Sequence, residues 1–198
     1  EMCDSDWSSD VCSSDLGAAL HVASAGGLMA GALGGGSAAR AAGSVGADDP
    51  QFKYIKEVPY YEKLDDKMIR CKICPKECRV GESERGFCGN KENRDGAYYT
   101  LAYGNPCSAH ADPIEKKPLF HFLPSTKAFS ISTAGCNFDC KFCQNWQLSQ
   151  ARPEQTRNYD LPPDAVADYA KQTGCASIAY TYGEPVVFYK YMYDCARA

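Results

Sequence analysis

Apolar and polar positions alternate with a structural period only from about Phe52 onward. Met68-Ile69-Arg70 leads into a cysteine-rich stretch, and Ala97–Tyr103 (AYYTLAY) has the β-branched and aromatic make-up of a strand after the turn Asn93-Arg94-Asp95-Gly96. Ala128–Thr133 (AFSIST) predicts a second strand, closed by Gly135 and a loop over residues 136–143. Asp164–Gln172 follows Pro162-Pro163 and ends before Gly174, the punctuation of a short amphipathic helix. Ala176–Tyr182 (ASIAYTY) predicts a further strand, and residues 186–197 a further helix after Gly183-Glu184-Pro185. From residue 128 the order is therefore β, loop, α, β, α, the opening of a parallel α/β sheet or barrel.

Ahead of this lies a region without apolar period. CDSDWSSDVCSSDLG is Ser/Asp-rich, repeats SSD and resembles translated adapter sequence, so Cys3, Trp7 and Cys12 carry no expected role. Residues 17–47 are Ala/Gly-rich, too broken by glycine for a membrane-spanning helix. They read equally as a low-complexity linker or as the weak apolar region of an export signal, with small residues at Ala38-Ala39 and Ala41-Ala42. The expected organisation is a disordered tail over 1–50, a Cys-rich lobe over 51–125, and an α/β core over 126–198. A closed (β/α) barrel takes about 200 residues or more, and 62 residues follow Cys136. The core is thus expected to be the N-terminal part of a longer barrel.

Charge adds little. The formal net charge is −4; seven acids and one arginine put −6 in residues 1–50, which leaves the rest near +2. No basic stripe argues for nucleic acid. Cysteine changes the picture. Of twelve cysteines, nine lie between Cys71 and Cys175, eight of them by Cys143, with short x2 and x3 spacings at Cys71–Cys78 and Cys136–Cys143. Disulfides need well-separated Cα atoms, whereas C-x2-C and C-x3-C runs suit thiolate ligation of a metal or cluster.

Cys136, Cys140 and Cys143 form C-x3-C-x2-C directly after a predicted strand, in CNFDCKFC. A structural zinc site wants four protein ligands, and so does a four-iron cluster. Three cysteines leave one iron open to a substrate or cofactor. Here the sequence resembles the radical S-adenosylmethionine (radical SAM) enzymes, whose signature is C-x3-C-x-aromatic-C, with Phe142 as the aromatic. The resemblance implies a [4Fe-4S] cluster on Cys136, Cys140 and Cys143 that binds S-adenosylmethionine. It implies reductive cleavage of that cofactor to a 5′-deoxyadenosyl radical, which abstracts hydrogen from a substrate, the protein supplying orientation and exclusion of water. It implies a reducing partner such as flavodoxin or ferredoxin. Tyr182, Gly183 and Glu184 stand where such enzymes carry a Gly-Gly-Glu-like cofactor segment, with Tyr182 in place of the first glycine; alone, YGEP reads as a strand-to-helix turn with proline at the first helical position. The stretch 112–150, with the preceding cysteine lobe, resembles the radical SAM enzyme of the AmmeMemoRadiSam system, a pyruvate formate-lyase-activating-enzyme-like group. This implies an oxidoreductase or activase, with a glycine of a partner protein as a substrate by analogy alone. No catalytic residue is singled out.

Upstream, Cys71, Cys74, Cys78 and Cys88 form C-x2-C-x3-C-x9-C, a set that closes a zinc site or holds a second cluster, with Cys107 able to replace one ligand. Cys175 and Cys195 fall in strand and helix patterns and read as ordinary buried cysteines. Gln144, Asn145 and Trp146 border the cluster loop. Lys116 and Lys117 read as solvated lysines rather than carboxylate partners, and His121 between Phe120 and Phe122 as a core-edge histidine. The competing class is a non-catalytic zinc module with two cysteine knots, colourless where a cluster protein is brown; a secreted disulfide-stapled protein is the third reading. Reduced thiols favour the cytoplasm, with export the alternative raised by residues 17–47.

Overall fold

The computed structural model describes residues 55–198; the expectations for the tail and the signal-like segment lie outside them. Nine short strands form three three-stranded sheets: β1 (Lys56–Glu57), β2 (Tyr61–Lys63), β3 (Ile69–Cys71), β4 (Arg79–Val80), β5 (Lys91–Arg94), β6 (Ala97–Thr100), β7 (Ser108–Pro113), β8 (Lys127–Ser132) and β9 (Cys175–Tyr180). The helices are α1 (Trp146–Ser149), α2 (Pro163–Gln172) and α3 (Tyr189–Arg197). The fold is mixed α/β, with small sheets.

The first two sheets, ordered β1-β6-β5 and β2-β3-β4, are antiparallel. The turn between β5 and β6 is shorter than the sequence predicts. Arg94 pairs with Ala97, so only Asp95 and Gly96 connect the strands, at φ 54° and 78°. Both residues are left-handed, as a two-residue hairpin with the twist of its strands requires. Asn93 is part of the strand instead. Its Nδ2 donates to the carbonyls of Lys67 and Val80, both at 2.9 Å, and so ties the two sheets together. Between them lies a small core of Val58, Ile69, Cys71, Val80 and Tyr98, with Ile73 and Cys78 against it.

The third sheet runs β7-β8-β9. β8 and β9 are parallel, joined through α2, as the β-loop-α-β order predicts. β7 is the surprise: an antiparallel partner of β8 along its whole length, from Ser108↔Ser132 to Pro113↔Lys127. Its sequence, SAHADP, has no run of large apolar residues to announce a strand. β8 is central and buried on both faces. Phe129 and Ile131 point one way, and each contributes about 2 kcal/mol or more from removal of its side chain from water. Ser130 and Ser132, fully buried, point the other way. α2 lies against β9 and α3 and buries Val166 and Ala170. The predicted helix 186–197 begins instead as a 3-10 turn, Pro185–Phe188, before α3. Val186 and Val187 are β-branched and poor helix starters, and Val187 and Phe188 are buried in place.

Candidate cluster and cofactor site

β8 ends at Ser132, and Thr133-Ala134-Gly135 delivers the chain to Cys136. Gly135 sits at φ 94°, and its N–H donates to the Leu148 carbonyl at 2.9 Å, which closes the loop at its base. Within the loop the three cysteines differ. Cys136 is buried, and its sulfur accepts the Phe138 N–H at 3.5 Å. Cys143 is half-buried, with its sulfur 3.3 Å from the Ser149 hydroxyl. Cys140 is exposed, and so is Phe142, 92% open to solvent and away from Tyr182. Among the described residues, no three His, Cys, Asp or Glu side chains are gathered closely enough to hold a metal ion. The loop brings its donors to one place in the fold without converging them. Beneath it Thr133 is fully buried, and its hydroxyl has no hydrogen-bond partner.

The segment after β9 packs directly on this loop. Thr181 N–H donates to the Ile131 carbonyl at 3.1 Å, extending the parallel pairing. Asn145 Nδ2 donates to the Tyr182 carbonyl at 3.0 Å. A Cβ on Gly183 would lie 3.6 Å from the Gly135 carbonyl oxygen and 3.7 Å from Leu148. Tyr182 and Gly183 thus border the loop's base, and of the three residues flanking the cysteines Asn145 makes the link. Glu184 precedes the 3-10 turn, with Pro185 at its first position.

Tyr182 is held from its far end. Its hydroxyl donates to the Asp112 carboxylate, which also receives Lys117 at 2.6 Å and Lys116 at 3.2 Å. Lys117 lies 4.8 Å over the Tyr182 ring, and His110 meets that ring edge-on at 6.3 Å. The expectation of solvated lysines is therefore corrected for Lys117, which keeps only 9% of its side chain exposed against the Asp112 carboxylate; Lys116 reaches the same carboxylate but is exposed, as expected. Burial opposes the Asp112 charge, but hydrogen bonds from Lys117, Tyr182 and Ser130 outweigh it and hold the carboxyl well below its usual range. Burial pushes the Tyr182 hydroxyl up and His110 down. His121, expected at the core edge, is exposed.

The upstream cysteines share one pocket, though they too are not drawn together to metal-binding distance. Cys71, Cys74, Cys78 and Cys88 line one pocket of about 300 Å3, counted to its open mouth, with Lys91, Tyr98, Asn137 and Val187 among its walls. Burial first, then the Cys88, Cys71 and Cys78 sulfurs, push the Tyr98 hydroxyl far up. Cys107 is not in this pocket; its sulfur lies 3.6 Å from the Ser132 carbonyl, and burial pushes its thiol to about 12. Cys195 is buried in α3 as expected, while Cys175 is half-buried at the start of β9.

Residues 130–198 match the model of the Radical SAM superfamily. That span begins inside β8 and takes in the three-cysteine loop and the Tyr182–Glu184 segment. Over this stretch the chain is similar to the radical SAM superfamily. Two relatives from Methanocaldococcus jannaschii are similar to the chain. The uncharacterized protein MJ0808 is 49% identical over 140 residues, 71% of this chain and 42% of that protein. The uncharacterized protein MJ0674 is 38% identical over 94 residues, 46% of this chain and 23% of that protein. The chain thus spans less than half the length of either relative. No solved structure matches.

Three sulfurs hang from one loop closed at its base, and an unpartnered buried hydroxyl lies under it. The Tyr182 backbone shows how the segment after β9 is kept in shape. It is left-handed, at φ 68°, a conformation that costs a non-glycine residue about 1 kcal/mol or more. The Asp112 anchor offsets that strain. Tyr182→Phe is expected to lower stability by about 2 kcal/mol, the worth of a hydrogen bond to a charged group, in urea unfolding of the full chain. A loss below about 0.3 kcal/mol would show that the anchor carries none of the strain.

Proposed function

We propose that the chain carries the cofactor-binding part of a radical SAM enzyme. Cys136, Cys140 and Cys143 would hold a [4Fe-4S] cluster, and the Tyr182-Gly183-Glu184 segment would bind the methionyl end of S-adenosylmethionine beside it. The observation that carries this reading is the packing of Gly183 on Gly135 at the base of the three-cysteine loop. Cluster ligands and cofactor segment come from successive parallel strands and meet at one edge. Held there, a cluster would supply the one-electron reduction of S-adenosylmethionine on which hydrogen-abstraction chemistry depends. The chain's own work is positional. Asn145 and the Asp112–Tyr182 anchor fix the segment's backbone, and the loop closure at Gly135–Leu148 fixes where the thiolates start. We read the three strands of the last sheet as the start of a partial (β/α) barrel and the cysteine-rich residues before it as a metal-binding lobe. We place the protein in the AmmeMemoRadiSam, activase-like group from the sequence resemblance, with a flavodoxin- or ferredoxin-type reductant and a protein substrate as its partners. We retain the cytoplasm as its compartment. Among the described residues no helix is long and apolar enough to cross a membrane.

The test is anaerobic reconstitution with iron and sulfide, reduction in the presence of S-adenosylmethionine, and chromatography for 5′-deoxyadenosine. The protein is expected to turn brown and release the nucleoside, and Cys140→Ala to lower release by at least about a hundredfold, since one ligand of three is gone. Zinc without iron, and no nucleoside, would favour the non-catalytic zinc module.

A further inference from the structure

Four cysteines outside the radical SAM match line a pocket that shares a wall with the three-cysteine loop. Cys71, Cys74, Cys78 and Cys88 line it, and so does Asn137, the residue after Cys136. The segment from Cys88 into β5 meets the base of the loop at two points and the turn after Glu184 at a third. The Cys88 carbonyl lies against Gly135, where any Cβ would collide with it. Asn90 Nδ2 donates to the Ala134 carbonyl at 3.2 Å. Lys91 Nζ donates to the Val187 carbonyl, in the turn that follows Glu184.

Lys91 is the odd group. It is only 2% exposed, and its ammonium lies 3.9 Å from the Cys88 sulfur and 3.1 Å from Asn90 Oδ1. Among the described residues no carboxylate pairs with it. A buried cation needs a counter-charge. Four neutral thiols supply none. Four thiolates around a divalent ion leave a net charge of −2, on the side of the pocket that Lys91 faces.

We infer that Cys71, Cys74, Cys78 and Cys88 form a second, four-thiolate metal centre, with Lys91 as its charge partner, and that filling it fixes the backbone under the three-cysteine loop. The centre is closed: four protein ligands leave no open position, so its part is to set the geometry of the neighbouring site rather than to bind substrate. The ion draws Cys88 inward, and Cys88, Asn90 and Lys91 hold residues 134–135 and the turn at Val187 in register. The inference rests on the proposed function only for the meaning of the loop. Its readouts need neither S-adenosylmethionine nor a reductant, so the two can fail separately.

The test uses the full chain with Cys136, Cys140 and Cys143 all changed to Ser, which removes any competing thiolates from the loop. Zn2+ alone is titrated into the metal-free protein under anaerobic conditions, and hydrogen exchange is followed by mass spectrometry. The expected result is one zinc per chain, with amide exchange over residues 134–148 slowed about tenfold or more on binding. Further change of Cys74 and Cys78 to Ser is expected to abolish both effects. Lys91→Met, which leaves every ligand in place, is expected to weaken zinc binding about tenfold and to reduce the protection. Stoichiometric iron and sulfide taken up in place of zinc by the triple variant would support the same four-thiolate centre with a cluster as its occupant. Failure of that variant to bind either metal would overturn the proposal, and zinc bound without slower exchange at 134–148 would overturn the coupling.

Discussion

Replacing Gly135 with alanine is expected to destabilise the protein by about 4 kcal/mol, through two effects that a single methyl group brings together. At φ 94° the backbone lies outside the conformations that side-chain-bearing residues adopt readily, worth about 1–3 kcal/mol. The new Cβ would also be driven into the Cys88 carbonyl oxygen, a backbone atom that cannot rotate away, and overpacking of this kind costs about 1–3 kcal/mol more. Gly174→Ala is the matched control. Gly174 is also left-handed, at φ 67°, but nothing lies within 4 Å of its Cβ position. It is expected to lose only about 1 kcal/mol. Chemical denaturation of both variants separates the two effects. Equal losses would mean that the contact between the cysteine strand and the loop is not tight.

Asp112→Asn is expected to have a comparable effect at neutral pH, about 3 kcal/mol. Asp112 and Lys117 keep 8% and 9% of their side chains exposed, and removal of one charge of a buried pair leaves the other unpaired. The sign of the pH dependence follows from the depressed Asp112 carboxyl. Its folded value lies below its unfolded value of about 3.9, so the unfolded state takes up the proton first. The stabilisation is complete above that value and is lost as pH falls below it. The gap between wild type and variant should therefore be widest near pH 7 and narrow on acidification to about pH 3. A gap that stays constant would show that the carboxylate charge is not what holds Lys117 and Tyr182.

What could be read from the sequence was whatever is local. The three-cysteine loop follows a strand because AFSIST and CNFDCKFC are adjacent, and α2 announces itself through Pro163 at its start and Gly174 beyond its end. The parallel pairing of β8 and β9 follows from that order. What could not be read depends on partners far away along the chain. β7 is a strand because β8 offers it an edge, not because SAHADP prefers to be one. Lys117 is buried because β7 carries Asp112 to the same face as Tyr182, seventy residues later. Lys91 sits in KENR, a stretch whose polarity suggests a surface, yet Lys91, Glu92 and Asn93 are all buried. Their side chains satisfy carbonyls and charges that only the assembled sheets create. The cysteine spacing pointed to two groups but could not show that Asn137, next to Cys136, lines the pocket of the upstream group.

The last sheet has an open side. Among the described residues β9 is hydrogen-bonded to β8 alone, so along its other edge a row of N–H and C=O groups has no described strand beside it. Cys175–Tyr180 carries no charge and no proline, the two devices that most often blunt such an edge. An extended backbone of any origin can add there, a second copy of the same segment included. The edge on which a sheet can be extended is also one on which a fibril can nucleate, and such growth is favoured by concentration.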